Sequence, residues 1–338
     1  MRIDLAGWTR EATAGDPRAF FSLFERADRL GYQGVWFSEF RLPQAPWPYP
    51  SPLLLASALL ARTERLRVGM SVLVLPLHHP LLLAEEIAQV DHQSGGRLDV
   101  GIGRGTEPQT LQCLEIDPES TRERFNQGAR ILRDALRGDT VAAQDGPWRF
   151  APHRLAMPPV QRPHPSIYVA ASTPESIAFA VQEDFPLLLS LEPPEGVQLQ
   201  RLEQAAQALG RDAAALRARS SLARYVCIGE SARDVDERLA ALWPMLHARR
   251  VFFAGKRGVP ASQVPQIDVP RVLAEQFIWG TPEQCHAQIT ALQQRTGILQ
   301  LRCVFNANGL WSNDEALRGM ELFAREVMPA LMFSPSRD

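Results

Sequence analysis

Apolar residues along the chain follow two alternating spacings. Short runs rich in β-branched and aromatic residues, such as Gly34–Ser38 and Leu98–Gly103, contain few polar interruptions. The longer segments between them repeat apolar residues every three or four positions, as in Asp16–Leu30, where Gly31 then supplies a C-terminal stop. Because strand-length and helix-length segments alternate, the pattern predicts βα units around a parallel sheet.

Eight strands and at least eight helices fit this alternation, which predicts an α/β fold of the (β/α)8 TIM-barrel type in one domain over residues 1–338. A turn-rich insertion, Gly138–Pro163, follows the fourth βα unit, and the polar stretch Gly255–Val272 is expected to be a loop over the barrel mouth. The predicted strands are Ile3–Trp8, Gly34–Ser38, Arg67–Leu75, Leu98–Gly103, Ser166–Ala171, Pro186–Ser190, Ser221–Gly229 and Leu299–Asn306.

Composition and charge narrow the range of functions. The 338 residues are 45% hydrophobic and 22% charged, which is typical of a globular chain. With a net charge of −2 and no basic stripe, nucleic acid is not an expected partner. No apolar run reaches the length of a signal peptide or a membrane span, so we expect neither. Four scattered cysteines without a C-x-x-C pair favour the cytoplasm, and no histidine spacing predicts a metal site.

Two segments carry groups suited to a phosphate. Arg104 follows a predicted strand between two glycines, and a guanidinium there can form paired, charge-assisted hydrogen bonds to a phosphate monoester. In Ala171–Ser176, Thr173 is the expected N-cap and Pro174 the first helical residue, so free N–H groups and the hydroxyls of Ser172, Thr173 and Ser176 would surround an anion. The alternatives are a surface arginine in a glycine loop and plain helix capping.

Three stretches resemble the bacterial luciferase-like family of flavin-dependent monooxygenases. The densest runs from Arg67-Val-Gly-Met-Ser-Val-Leu-Val-Leu-Pro76 through His79-Pro80 to Asp91–Gly105, and Tyr168–Ser176 and Gly280–Cys285 also agree. The resemblance implies a barrel that binds FMN at its C-terminal strand ends. It further implies that reduced FMN comes from a separate flavin reductase and that O2 is activated as a flavin 4a-hydroperoxide.

The same resemblance assigns cofactor contacts to particular residues. It places Arg104, Ser172, Thr173 and Ser176 at the FMN phosphate, with Ala171 beside them, although Ser172 stands where the family often has a carboxylate. It also puts a cis peptide bond between Ser71 and Val72, beneath the isoalloxazine ring; the alternative is a regular trans strand. His78 and His79 precede a helix, and for both we favour a structural role.

The end of the second strand departs from the luciferase pattern. Glu39 is retained, but Phe40 stands at the position of the catalytic histidine, and Gly103 at that of the reactive cysteine. Glu39 and Phe40 are the candidate catalytic residues, with Glu39 positioning substrate or flavin, or else simply pairing with an arginine. Because an aromatic ring cannot transfer a proton, efficient light emission is not expected. We expect Phe40 to form an apolar pocket with Trp8, Trp36 and the proline-rich loop Leu42–Pro52.

The leading interpretation is an FMN-dependent two-component monooxygenase that oxygenates a small or medium organic molecule, such as a secondary-metabolite intermediate. Hydroxylation, Baeyer–Villiger insertion and epoxidation stay open. A deazaflavin-dependent oxidoreductase and a non-catalytic companion subunit like the luciferase β chain are the alternatives. By resemblance, the helices Ser51–Arg62 and Pro80–Ser94 would form a homodimer interface.

Overall fold

The structure is a computed structural model that describes residues 1–43, 45–105, 107–256 and 258–332. Its strands are β1 Arg2–Leu5, β2 Gly34–Phe37, β3 Arg67–Met70, β4 Leu73–Val74, β5 Leu98–Gly103, β6 Val141–Ala143, β7 Phe150–His153, β8 Ile167–Val169, β9 Leu188–Leu189, β10 Ser221–Ile228, β11 Phe277–Gly280 and β12 Gln300–Val304. Its helices are α1 Pro17–Leu30, α2 Pro52–Leu60, α3 Pro80–Ser94, α4 Pro108–Cys113, α5 Thr121–Arg137, α6 Pro174–Gln182, α7 Glu195–Ala208, α8 Ala213–Arg219, α9 Ala232–Lys256, α10 Val269–Gln276, α11 Pro282–Thr296, α12 Asn313–Glu326 and α13 Met328–Met332. None of the helices in these ranges is long and apolar enough to cross a membrane.

The main sheet is parallel and has the strand order of a TIM-barrel-like α/β fold, as the sequence predicts. β1 pairs with β2 on one side and with β12 on the other, and the ladder continues through β3, β5 and β8. On the far side β12 pairs with β10, and β10 pairs with β9. One parallel bridge, Val169 to Leu187, joins the end of β8 to the residue before β9. The carboxyl ends of the strands therefore lie at one face, where such folds build their sites.

Three regions differ from the predicted elements. The strand predicted at Arg67–Leu75 is two strands, β3 and β4, separated by Ser71 and Val72. The insertion Gly138–Pro163 forms the antiparallel pair β6 and β7. The stretch Gly255–Val272, expected to be a loop, contains a 3-10 turn and the start of α10, because Asp268 caps that helix by accepting the Arg271 N–H. Helix α4 and strand β11 were not predicted.

Helix α1 illustrates how local sequence sets the boundaries of the outer helices. The Asp16 carboxylate accepts the N–H groups of Arg18 and Ala19, and Pro17 occupies the first turn. Gly31 ends the helix in the left-handed conformation, with φ of 89°. Between these ends the apolar side chains at helical spacing, Phe20, Leu23, Phe24 and Ala27, are buried against the barrel.

Two buried carboxylates tie the strands together inside the sheet. Asp4 of β1 accepts hydrogen bonds from Arg2 Nε at 2.9 Å, and at 2.7 Å from both Trp36 Nε1 of β2 and Gln300 Nε2 of β12. Asp99 of β5 accepts from Arg2 at 2.6 Å and from Arg67 of β3 at 2.7 Å. Burial alone would raise the pKa of Asp99, but the charges and hydrogen bonds of the two arginines hold it below its usual value.

The closeness of the strands around Gly101 of β5 generates a stability prediction. A methyl group there would overlap the Met70 carbonyl oxygen and lie 2.5 Å from Leu188 Cδ1. Because backbone must then move, Gly101→Ala should lower the free energy of unfolding by about 1–3 kcal/mol. Urea unfolding followed by circular dichroism measures this change.

Gly196, in the first turn of α7, is the matched control. No atom outside its own helix and chain neighbours lies within 4 Å of the position its Cβ would take. Gly196→Ala should therefore be neutral or slightly stabilising, since alanine is the better helix former. Equal effects of the two substitutions would contradict the tight packing inferred at position 101.

Candidate active site

A cavity of about 180 Å³ opens beyond the carboxyl ends of β5 and β8. Loop residues after both strands and the first turns of α5 and α6 form its wall. The lining residues are Arg104, Gly105, Arg122, Phe125, Asn126, Ala170, Ser172, Thr173 and Ser176. The fold thus brings together Arg104 and the hydroxyl cluster that the sequence singled out separately.

The cavity is rich in positive charge. Arg104 and Arg122 both line it, and Arg201 of α7 donates a hydrogen bond to the Ser172 carbonyl at its edge. The pKa of the exposed Glu175 is lowered by its own backbone N–H and by the Thr173 hydroxyl, and further by Arg122 and Arg201. A multiply charged anion would find two guanidinium groups and a helix N-terminus at this place.

The hydroxyls at the start of α6 also cap that helix. Thr173 Oγ1 accepts the Ser176 N–H at 3.3 Å, and Ser176 Oγ accepts the Thr173 N–H at 3.1 Å, which is a reciprocal capping box. Capping and cavity lining therefore coexist in these two residues. Ala171 is buried and does not line the cavity, whereas the neighbouring Ala170 does.

The segment between β3 and β4 contains the cis peptide bond that the resemblance implied. The peptide bond between Ser71 and Val72 is cis, which confirms that expectation. The Ser71 carbonyl accepts the Ser38 hydroxyl at 2.6 Å, and the Val72 carbonyl accepts the Glu39 N–H at 3.1 Å. The end of β2 therefore fixes this segment at the C-terminal face of the sheet.

A buried cation lies inside the sheet next to the same segment. Arg302 of β12 donates to Ser71 Oγ at 3.0 Å, to Ser221 Oγ at 3.0 Å and to the Leu189 carbonyl at 2.6 Å. Burial lowers its pKa to about 10, so the guanidinium stays protonated at neutral pH. Among the described residues no carboxylate lies within ion-pair distance of it. The Asp4 carboxylate acts on this charge from beyond ion-pair distance.

Gly103, at the end of β5, leaves room for Val72. A Cβ at position 103 would lie 2.6 Å from Val72 Cγ2, which is closer than two carbon atoms can approach. Glycine at position 103, where the luciferase pattern has a cysteine, therefore avoids a clash with the Val72 side chain.

Glu39 lies buried at the centre of a hydrogen-bond network. Its Oε1 accepts from Arg41 Nε at 2.6 Å, and its Oε2 accepts the Val74 N–H at 2.7 Å. His78 Nε2 lies 2.9 Å from Oε2 and 3.0 Å from Oε1. Burial alone would raise the pKa of Glu39, but His78, Arg41 and the Val74 N–H together hold it below its usual value. Glu39 is therefore a carboxylate that orients its neighbours.

Phe40 belongs to an aromatic cluster built around one cation. The Arg10 guanidinium carbon lies 4.5 Å from the centre of the Phe40 ring and 4.7 Å from that of Phe253 on α9. Trp47 of the proline-rich loop meets Phe40 edge-on, with the ring centres 5.8 Å apart. Cation–π attraction thus joins the segments that follow β1 and β2 to the end of α9.

The expectation that Trp8 and Trp36 share this pocket is wrong. The chain turns at Gly7, whose φ is +106°, and Trp8 then packs on Phe24 of α1 and donates to Asn313 of α12. Trp36 points into the sheet interior, where it packs edge-on against Tyr168. Side chains alternate along a strand, so the strand-end position of an aromatic residue does not by itself set its direction.

Several residues of the site were not predicted from the sequence. Arg122 could have been found, because the first turn of the helix after a barrel strand always lies at the mouth. Arg10 begins the 3-10 turn after β1, at the same face of the sheet. The contacts of His78 with Glu39 and of Arg302 with Ser71 cross between distant segments, and no local pattern predicts them.

Comparison with known proteins shows the family. The luciferase-like monooxygenase family model matches residues 3–300, and the chain belongs to that family. A relative from Streptomyces nodosus subsp. asukaensis, named 4-hydroxyprotoasukamycin monooxygenase, is 30% identical over 91% of this chain and 85% of its own length. An uncharacterized protein from Sinorhizobium fredii is 38% identical, but the match covers 47% of this chain, and this chain spans 46% of that relative.

Solved structures agree with this fold. A monooxygenase from Streptomyces bottropensis has a TM-score of 0.77 at 26% identity, covering 98% of this chain and 99% of its own. The oxygenating constituent of 3,6-diketocamphane monooxygenase from Pseudomonas putida, in complex with FMN, has a TM-score of 0.73 at 20% identity, covering 97% and 98%. An F420-dependent secondary alcohol dehydrogenase has a TM-score of 0.75 at 14% identity, covering 98% of each chain. The last two likenesses show the fold alone.

The hydrogen bonds of Glu39 generate a pH-dependent prediction. Its pKa is lowered in the folded protein, so its contribution to stability is present above the unfolded pKa of about 4.3 and is lost as the pH falls through the folded value. Glu39→Gln should lower the free energy of unfolding by about 1–3 kcal/mol at pH 7, with the deficit shrinking below about pH 4. Urea titrations from pH 7 to pH 3.5 measure it, with the exposed Glu119→Gln as control. A deficit that stays constant across this range would contradict the lowered pKa.

Proposed function

We propose that this chain is the FMN-dependent oxygenase component of a two-component monooxygenase. It takes reduced FMN from a separate flavin reductase and uses O2 to oxygenate a small or medium organic substrate. Family membership supports oxygenase chemistry, and the FMN-bound diketocamphane monooxygenase supports FMN as the cofactor. The observation that carries the proposal is that Arg104 and Arg122 line one cavity together with the first residues of α6.

The residues present fit the phosphate of FMN. A phosphate monoester is a compact dianion, and the two guanidinium groups with the N-terminus of α6 offer charge and N–H donors from one side. Ser172 adds a hydroxyl at the edge of the same cavity. From this anchor the ring system would extend toward Ser71 and Val72 at the neighbouring strand end.

Bound reduced FMN supplies the two electrons that activate O2. The chain's own residues position the ring and control access of water. Ser38 and Glu39 fix the segment on which we propose the ring lies, and Phe40 with Trp47 forms an apolar wall near the mouth. Such a wall would keep water from the reacting oxygen.

We also propose that the protein is a cytoplasmic homodimer. Leu54, Ala58 and Ala61 form an exposed apolar stripe around α2, and Leu82 of α3 is 61% exposed. All four cysteines are free thiols, three of them buried, which suits a reducing compartment.

The binding test compares FMN with riboflavin, which has the same ring system and lacks the phosphate. Reduced FMN should bind the wild type more tightly than reduced riboflavin under anaerobic conditions. Arg104→Ala or Arg122→Ala should each cost about 1.5–3 kcal/mol, or roughly ten- to a hundredfold in FMN affinity, and leave riboflavin affinity unchanged.

Arg130→Ala is the control for this test, because Arg130 lies on α5 outside the cavity and pairs with Glu183. Its FMN affinity should match the wild type. If Arg104→Ala and Arg122→Ala both bind FMN as the wild type does, the phosphate lies elsewhere.

The alternative with a specific supporting observation is a deazaflavin-dependent oxidoreductase, because an F420-dependent enzyme shares the fold. O2 uptake with FMN and a flavin reductase, measured beside hydride transfer from reduced F420, separates the two. Oxygen uptake with reduced FMN, and not with reduced F420, supports the oxygenase. Turnover with reduced F420, and not with reduced FMN, overturns it. A protein that binds FMN and neither reacts with O2 nor transfers hydride would be a non-catalytic companion.

Phe40 generates a prediction about coupling. If Phe40 walls off the reaction, Phe40→Ala should lower the ratio of oxygenated product to reduced FMN consumed, because water would reach the activated oxygen. FMN affinity should change little, since Phe40 is not among the residues that line the cavity of Arg104 and Arg122. Product and hydrogen peroxide are quantified together for any substrate found by screening. An unaltered ratio in a folded variant would show that Phe40 does not face the reaction.

A further inference from the structure

The strand-end motif lacks a proton-transfer group, but the fold brings one to the same carboxylate from another segment. Phe40 follows Glu39 and cannot exchange a proton. The imidazole of His78, from the turn between β4 and α3, instead lies 2.9 Å from Glu39 Oε2. An imidazole held by a buried carboxylate is the arrangement that general acid–base catalysis uses.

The hydrogen bonds around Glu39 and His78 show which of their atoms carry a proton. Arg41 and the Val74 N–H also bind the Glu39 oxygens, which keeps the carboxylate ionised and fixed. A carboxylate only accepts hydrogen bonds, so His78 Nε2 carries the proton that faces it. No residue in the described ranges bonds to Nδ1, and the His78 side chain keeps 14% exposure. Nδ1 is thus the nitrogen left for exchange with a reactant or water.

The pair adjoins the segment on which we propose the flavin ring lies. The Glu39 N–H bonds to the Val72 carbonyl, and the Val74 N–H bonds to the Glu39 carboxylate. The charged and titratable groups around His78 are Glu39, Arg41, the adjacent His79, and Arg124 of α5, which donates to the Pro76 carbonyl of the same turn. One carboxylate and one proton-exchanging imidazole therefore stand together beside that segment.

We propose that His78, oriented by Glu39, carries a proton at the site where reduced FMN reacts with O2; this rests on the proposed function. Without an organic substrate, reduced FMN (FMNH2) and O2 give oxidised FMN and hydrogen peroxide, so two electrons and two protons pass from flavin to oxygen. His78 Nδ1 takes up one of these protons and returns it to oxygen, and the imidazole ends in its starting state.

The first experiment uses the protein without FMN. Imidazole resonances are followed by NMR against pH, and His78 is assigned by its loss in His78→Gln. Glu39→Gln should change the chemical shift of the His78 ring, because Glu39 Oε2 lies 2.9 Å from its Nε2. Adding FMN to the wild type should shift the His78 resonance and leave that of His92, which bonds to the Pro158 carbonyl, in place. Bound FMN that leaves His78 unchanged would overturn the proposal.

The second experiment measures the reaction of bound reduced FMN with O2 by stopped flow from pH 5.5 to 9. The wild-type rate should show an inflection with pH. His78→Gln keeps an amide N–H for Glu39 but cannot exchange a proton, so the rate should fall at least roughly tenfold and lose that inflection. FMN affinity should stay within about twofold.

His92→Gln is the matched control and should behave as the wild type in rate and pH profile. A His78→Gln variant with the wild-type rate and inflection overturns the proton-transfer role while leaving FMN binding intact. Absence of FMN binding by the wild type would overturn the proposed function itself, and the binding test with Arg104 and Arg122 detects that failure separately.

Discussion

Two carboxylates, Asp4 and Asp99, hold the strands in the register that the rest of the molecule depends on. They reach side chains from β1, β2, β3, β5 and β12, and Tyr168 of β8 joins through Gln300. Buried charges are tolerated only when they are paired and bonded, so a shift of one strand would leave at least one of them unsatisfied. Because this register is fixed inside the sheet, the loops after β2, β3 and β5 emerge at defined positions and can form a site.

The sequence was most informative where local chemistry decides the structure. Helix α3 and strand β5 have the predicted bounds, since Pro80 starts the helix, Gly95 ends it and Leu98–Gly103 is a strand-length apolar run whose one charged residue is Asp99. Arg104 and the Thr173 cap were found because glycines and capping residues mark strand ends and helix starts. Trp8 was misplaced because its direction depends on the turn at Gly7, and His78 was given only a structural role because its partner Glu39 lies 39 residues away.

Positive charge in the candidate site is divided between two depths. Arg104 and Arg122 line the open cavity, where solvent and salt can compete with them for an anion. Arg302 lies deeper, bonded to two serine hydroxyls and a carbonyl, and water does not screen its charge. An extended anion with one end at the mouth and the other over Ser71 would experience both, with ionic strength weakening only the outer contact.

Because Val72 fills the space beside Gly103, substitutions at these two positions depend on each other. A cysteine placed at 103 would meet Val72 Cγ2 before its sulfur reached any ligand, since the Cβ alone comes within 2.6 Å of that methyl group. Reducing Val72 to alanine removes both of its γ-methyl groups and opens the space. Mutant libraries that vary either position by itself would miss double variants that the structure can accommodate. Introducing a thiol at position 103 therefore requires a smaller residue at position 72 as well.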